Sequence, residues 1–110
     1  MKLSIYQINH DRDSKRVKFA HFDEINGNVD PAIYSKVFQG EIEEDSLEDV
    51  FFRFNIGEYH PCFNGHSLSV SDIVVNENGA FYCDWIGFKK ISFDESMVDT
   101  SDLLSIFPNS

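Results

Sequence analysis

The chain has 110 residues, 19 acidic and 9 basic side chains, and a formal net charge of −10. Domains typically run to about 100–150 residues, so one domain is expected, and 42% apolar residues with 11 Phe exclude a fully disordered chain. No apolar run approaches the ~20 residues of a membrane helix, the opening residues lack the apolar core of a secretory leader, and the acid excess argues against direct binding of nucleic-acid backbone, leaving a soluble cytosolic protein or one with a basic partner.

Leu3 to Asn9 alternates, with Leu3, Ile5 and Gln7 on one side and Ser4, Tyr6 and Ile8 on the other. Period two predicts a strand. After the polar turn His10–Lys15, Arg16 to Phe22 alternates again, which predicts a hairpin. Asp30-Pro31 reads as a helix start, because Asp accepts the free N–H groups of a first turn and Pro needs none there. The pairs Ile33/Val37 and Tyr34/Phe38 are four apart, and Gly40 fits a stop, so a helix is expected over about 31–39. Ser46 caps a second helix with Leu47, Val50, Phe51 and Phe54 at helical spacing. Residues 58–65 read as a loop and Leu68–Val75 as a strand. Asn78-Gly79 marks a tight hairpin, after which Ala80–Ile86 returns, Gly87 bends or bulges, and Phe88–Phe93 continues the pairing. The last segment, 94–110, is polar and acidic, with an apolar patch at Leu103, Leu104, Ile106 and Phe107 that fits one short docked turn. The expected fold is a single α+β domain: a mostly antiparallel sheet of two hairpins, packed on one face with two short helices.

Several blocks resemble the YodL-like domain family. They are Ile5-Tyr6-Gln7-Ile8-Asn9, Arg16-Val17-Lys18-Phe19, the Asp30-Pro31 start with Tyr34 and Val37-Phe38, Gly65-His66-Ser67-Leu68-Ser69-Val70-Ser71-Asp72, and Phe81-Tyr82-Cys83-Asp84-Trp85-Ile86-Gly87-Phe88. The resemblance covers about residues 3–93 and divides the chain into that domain, 1–93, and an acidic tail, 94–110. It implies the setting of a phage or conjugative element, often beside antirestriction-type and DNA-processing proteins, in a bacterial host cell. It implies no chemistry, and so no catalytic residues.

The charge is unevenly placed. Glu41, Glu43, Glu44, Asp45, Glu48 and Asp49 put six acids into nine residues, and Arg53 is the only base between Val37 and Phe88. Five of the nine bases lie in the first 18 residues. Like charges held together repel. The plain reading is a solvated loop and helix cap; the functional reading is a surface that imitates a row of phosphates and occupies the basic channel of a nuclease or other nucleic-acid-processing protein. Joined to the implied mobile-element setting, it gives the leading expectation: a non-catalytic inhibitor of a bacterial defence nuclease, of anti-CRISPR or anti-restriction type. Tyr59 and Phe63 are expected as exposed contacts and Trp85 as a core anchor.

Two other readings are weighed. His60, Cys62, His66 and Cys83 are residue types that bind zinc, but their spacing matches no standard finger; Cys62 and Cys83 read better as free thiols, and no metal or cofactor is expected. Ser67, Ser69, Ser71, His66, Asp72 and Asp84 are hydrolase residue types without a nucleophile elbow. Asp72 and Asp84 straddle Asn78-Gly79, which makes them expected neighbours across the hairpin. A metal-dependent hydrolase on His60, His66, Asp72 and Asp84, or an adaptor domain using its aromatic surface, are the alternatives.

Overall fold

A computed structural model describes residues 1–55 and 65–98. Five strands form one sheet in the order β2-β1-β3-β4-β5, with every neighbouring pair antiparallel. They are β1 (Lys2–Ile8), β2 (Tyr34–Glu41), β3 (Ile73–Asn76), β4 (Gly79–Cys83) and β5 (Phe88–Ile91). A single α-helix among the described residues, α1 (Leu47–Asn55), packs on the sheet, and short 3-10 turns lie at His10–Arg12, Pro31–Ile33 and Glu95–Met97. No described helix is long and apolar enough to cross a membrane.

The alternation of β1 feeds two cores, one on each face of the sheet. Leu3 and Ile5 pack with Phe38, Ile42, Val74, Leu68 and the α1 residues Val50 and Phe54. Tyr6 and Ile8 pack with Tyr34, Ile73, Ala80, Tyr82, Ile91 and Val98, and Val17, Phe22, Ile25, Val29 and Ile33 close over them. The sheet is therefore covered by a helix on one face and by irregular chain on the other, rather than on one face by two helices. Successive strand residues point to opposite sides, so a central strand with apolar residues on both faces, Leu3 and Ile5 on one and Tyr6 and Ile8 on the other, calls for two covers.

The helix expected over 31–39 is not formed. Asp30 does cap, accepting the Ala32 N–H at 3.0 Å, but one 3-10 turn follows and the chain then runs extended as β2. A spacing of four satisfies a period of two as well as one of 3.6, and the aromatic and β-branched content favours the strand. Ile5 pairs with Phe38 and Tyr6 with Lys36, which leaves Val37 as the extra residue of a β-bulge. The bulge reverses parity: Tyr34 enters one core and Phe38 the other. Gly40 lies inside β2 opposite Leu3.

The first expected hairpin is also absent, since 16–22 is turn and irregular chain without a strand. Arg16 and Phe19 take left-handed φ values of 54° and 70°, which no strand accommodates. Asp13 bends the segment by accepting the N–H groups of Val17 at 2.9 Å and Lys18 at 3.1 Å. The partner of β1 thus comes from residues 34–41. The helix at 47–55 and a hairpin joining β3 to β4 are as expected, but Asn76 pairs with Gly79, at φ +127°, so the turn residues are Glu77 and Asn78 rather than Asn78 and Gly79. β3 begins only at Ile73, later than expected. Gly87, at φ +71°, closes the turn between β4 and β5.

Candidate functional site

The acidic segment runs from the end of β2 into the first turn of α1. Glu41 stands opposite Lys2 in the ladder. Ile42 is buried in the first core, its N–H donating to the Met1 carbonyl at 3.0 Å, which fixes the chain between the acids. Ser46 caps α1 by accepting the Asp49 N–H at 3.2 Å, and the positive end of the helix dipole favours Glu48 and Asp49 in its first turn. Val50 and Phe54 turn inward, which leaves the acids outside. Glu41, Glu43, Asp45, Glu48 and Asp49 are exposed. Glu44 is not free: Arg53 binds both its oxygens, at 2.8 and 3.2 Å, and this bonding holds its carboxyl below the usual carboxylate range. Among the described residues none of the other five acids forms a salt bridge. Phe52, one turn beyond Glu48 and Asp49 on α1, is 59% exposed, an exposed aromatic that helical spacing alone did not single out.

The block Gly65–Asp72 is a buckle that starts at the exposed Gly65 and His66 and ends on the buried Ser71 and Asp72. Gln7 donates through Nε2 to the His66 carbonyl at 2.8 Å and to Asp72 Oδ2 at 3.0 Å, and its Oε1 accepts the His66 N–H at 3.1 Å. The same Asp72 oxygen accepts the Ser69 N–H at 2.8 Å. Asp72 is buried, and burial pushes its carboxyl up to about 7 against the bonds from Ser69 and Gln7 that lower it. Gly65 is required because a Cβ there would lie 2.2 Å from Gln7 Oε1. Ser71, at φ +83°, accepts the Tyr34 hydroxyl on its carbonyl at 2.7 Å and the Phe19 N–H on its hydroxyl oxygen at 3.1 Å.

Asp72 and Asp84 do not face each other. The hairpin register pairs Ile73 with Tyr82, and Asp72 next bonds Cys83, its carbonyl accepting the Cys83 N–H at 2.8 Å. The turn is centred one residue earlier than Asn78-Gly79 suggests, so the two carboxylates fall on opposite faces. Asp84 accepts the N–H groups of Phe22 at 3.1 Å and Trp85 at 2.9 Å. His66 Nδ1 lies 2.7 Å from the Ser67 carbonyl, so its ring is not held to a serine hydroxyl by that nitrogen. Cys83 is buried, and burial pushes its thiol up to about 12, which suits neither a nucleophile nor a metal ligand. Among the described residues no group of three or more His, Cys, Asp or Glu is placed to hold a metal ion. Tyr59, Phe63, His60, Cys62 and the patch Leu103, Leu104, Ile106 and Phe107 lie outside the described residues.

Trp85 is not a core anchor. It is 59% exposed at the β4–β5 turn, and Ile86 beside it is 85% exposed. Tyr82 takes the buried place, because alternation from Tyr82 sends Asp84 to the same face and leaves Trp85 and Ile86 in the turn.

A five-stranded antiparallel sheet in the order 2-1-3-4-5, locked through Gln7 to a Gly-His-Ser-Leu-Ser-Val-Ser-Asp buckle, defines a small α+β domain of the sheet-rich kind. The family model described as YodL-like domain matches residues 2–93, and the chain belongs to that family. No curated protein and no solved structure matches it.

Proposed function

We propose that the chain is a non-catalytic inhibitor from a phage or other mobile element, acting in the bacterial cytoplasm on a defence nuclease of CRISPR or restriction type. The observation that supports this reading is the row of five exposed acids from Glu41 to Asp49, only Glu44 being matched by the chain's own arginine. Nucleic-acid channels are lined with Lys and Arg, and carboxylates spaced along a strand end and a helix start compete there with phosphates. The acids also speed encounter by steering, an effect that salt screens over roughly 8–10 Å.

The test is cleavage by purified CRISPR effectors and restriction endonucleases with the chain present. Wild type should block cleavage by at least one of them, and the triple variant Glu43→Lys, Asp45→Lys, Glu48→Lys should not, while keeping its circular-dichroism spectrum. Equal inhibition by both proteins, or none by wild type, overturns the reading.

A further inference from the structure

The face of the sheet away from α1 holds a cavity of about 600 Å³. The buried Tyr34 of β2 and Tyr82 of β4 form its floor, and Val17, Ile25, Val29 and Ile33 from the covering chain form its walls. The floor is rigid, because the Tyr34 hydroxyl donates to the Ser71 carbonyl and the Tyr82 hydroxyl to the Ala20 carbonyl, each at 2.7 Å. Sites for small molecules have volumes of this order and are mostly apolar, with a few fixed polar groups that set orientation.

The charged residues that line the cavity are Asp13, Glu24, Asp30 and Lys15, three acids against one base. Backbone N–H groups orient each acid: those of Val17 and Lys18 bond Asp13 at 2.9 and 3.1 Å, that of His21 bonds Glu24 at 2.9 Å, and that of Ala32 bonds Asp30 at 3.0 Å. A carboxylate offers about four lone-pair sites, so these bonds fix the groups without exhausting them. Among the described residues none of the three forms a salt bridge. Lys15 is exposed at the mouth, Lys18 lies over the Phe19 ring, and Arg12 donates to the carbonyls of Ala32 and Tyr34. The negative charge reaches the floor. The Tyr34 hydroxyl is pushed up by burial first, then by Tyr82, Asp72 and Asp13, and the Tyr82 hydroxyl by burial first, then by Asp84, Cys83, Asp72 and Glu24. Carboxylates that oppose a phenolate attract a cation. Among the described residues no three acids are close enough to share one metal ion, so the charges are spread around the cavity rather than gathered at a point. Spread carboxylates over aliphatic walls suit several cationic groups joined by apolar links. We propose that this cavity binds an aliphatic polyamine, its methylene chain lying on Tyr34, Tyr82 and the aliphatic walls and its ammonium groups paired with Asp13, Glu24 and Asp30. The site is independent of the acidic row at 41–49 and of the inhibitor reading.

The test is calorimetric titration of the full chain with spermidine, with putrescine, magnesium ion and hexanediol as the probes that remove, in turn, one ammonium group, the methylene chain and all charge. Spermidine should bind at one site, more tightly than putrescine or magnesium ion, and hexanediol should not bind. Glu24 and Asp30 are exposed, and their amides still accept the His21 and Ala32 N–H groups, so Glu24→Gln with Asp30→Asn should keep the circular-dichroism spectrum. This double variant should weaken spermidine binding about fivefold or more. Glu43→Gln with Glu48→Gln removes the same charge elsewhere and should leave the affinity unchanged. Backbone amide resonances of residues 13–34 should shift with spermidine, and those of 41–55 should not. No spermidine binding, equal weakening by the two double variants, or magnesium ion binding as tightly as spermidine overturns the proposal, because the last two outcomes mean diffuse attraction to an acidic chain.

Discussion

Asp72 forms no ion pair among the described residues; its stabilising contacts include Gln7 and the Ser69 N–H. With its carboxyl raised from 3.8 to about 7 by burial, the folded protein keeps a proton across that interval that the unfolded chain has already released. The contribution of Asp72 to stability is therefore complete below the unfolded value and is lost as pH rises through the folded one. Denaturant titrations from about pH 4 to about pH 8 should show this loss in the wild type. Asp72→Asn, whose amide oxygen can still accept from Ser69 and Gln7, should flatten that component. Gly65 carries the other half of the buckle. Gly65→Ala drives a methyl group against Gln7 Oε1 and, at 3.0 Å, against Val37 Cβ. It should lower stability by about 1–3 kcal/mol, the range for overpacking, read as a lower thermal midpoint. The sequence shows this block as a serine-rich motif with hydrolase residue types. Its structural use was hidden because Gln7, which closes it, lies 65 residues away from Asp72.

Elements whose signals are local were legible. The Ser46 cap, the 3.6-residue spacing after it and the turn signal at Asn78-Gly79 reappear as α1 and, one residue earlier, as the β3–β4 hairpin. Elements decided by distant partners were not. Nothing near Tyr34–Phe38 announces that β1 will accept it as a neighbour, or that Val37 will bulge and divide the two aromatics between two cores. The alternation of 16–22 is likewise real but unused, because the carboxylate of Asp13 makes a tighter local offer to that backbone. Within α1 the two aromatic positions should behave very differently. Phe54 is buried against Phe38, with ring centres 5.1 Å apart, and Phe54→Ala should cost about 3–5 kcal/mol. Phe52→Ala, on the exposed face, should change stability by no more than about 0.5 kcal/mol. Paired denaturation curves distinguish them.

Across the whole molecule, charge is sorted. Five exposed acids gather at the β2–α1 junction, and most of the bases precede residue 19. This unevenness was readable from the sequence; which acid would be neutralised was not, because it depends on α1 bringing Arg53 back beside Glu44. Arg53→Gln should cost about 0.2–1 kcal/mol, as expected of a partly exposed pair, and should strengthen binding to a basic partner at low salt by adding a sixth unmatched acid. Competition binding checks it. The most direct test of the central claim is the salt dependence of affinity for whichever purified nuclease the chain inhibits. Wild type should bind with an affinity that falls steeply as salt rises, and the Glu43→Lys, Asp45→Lys, Glu48→Lys variant should bind far more weakly with a flatter slope. Affinity independent of salt, or equal slopes for the two proteins, would contradict it.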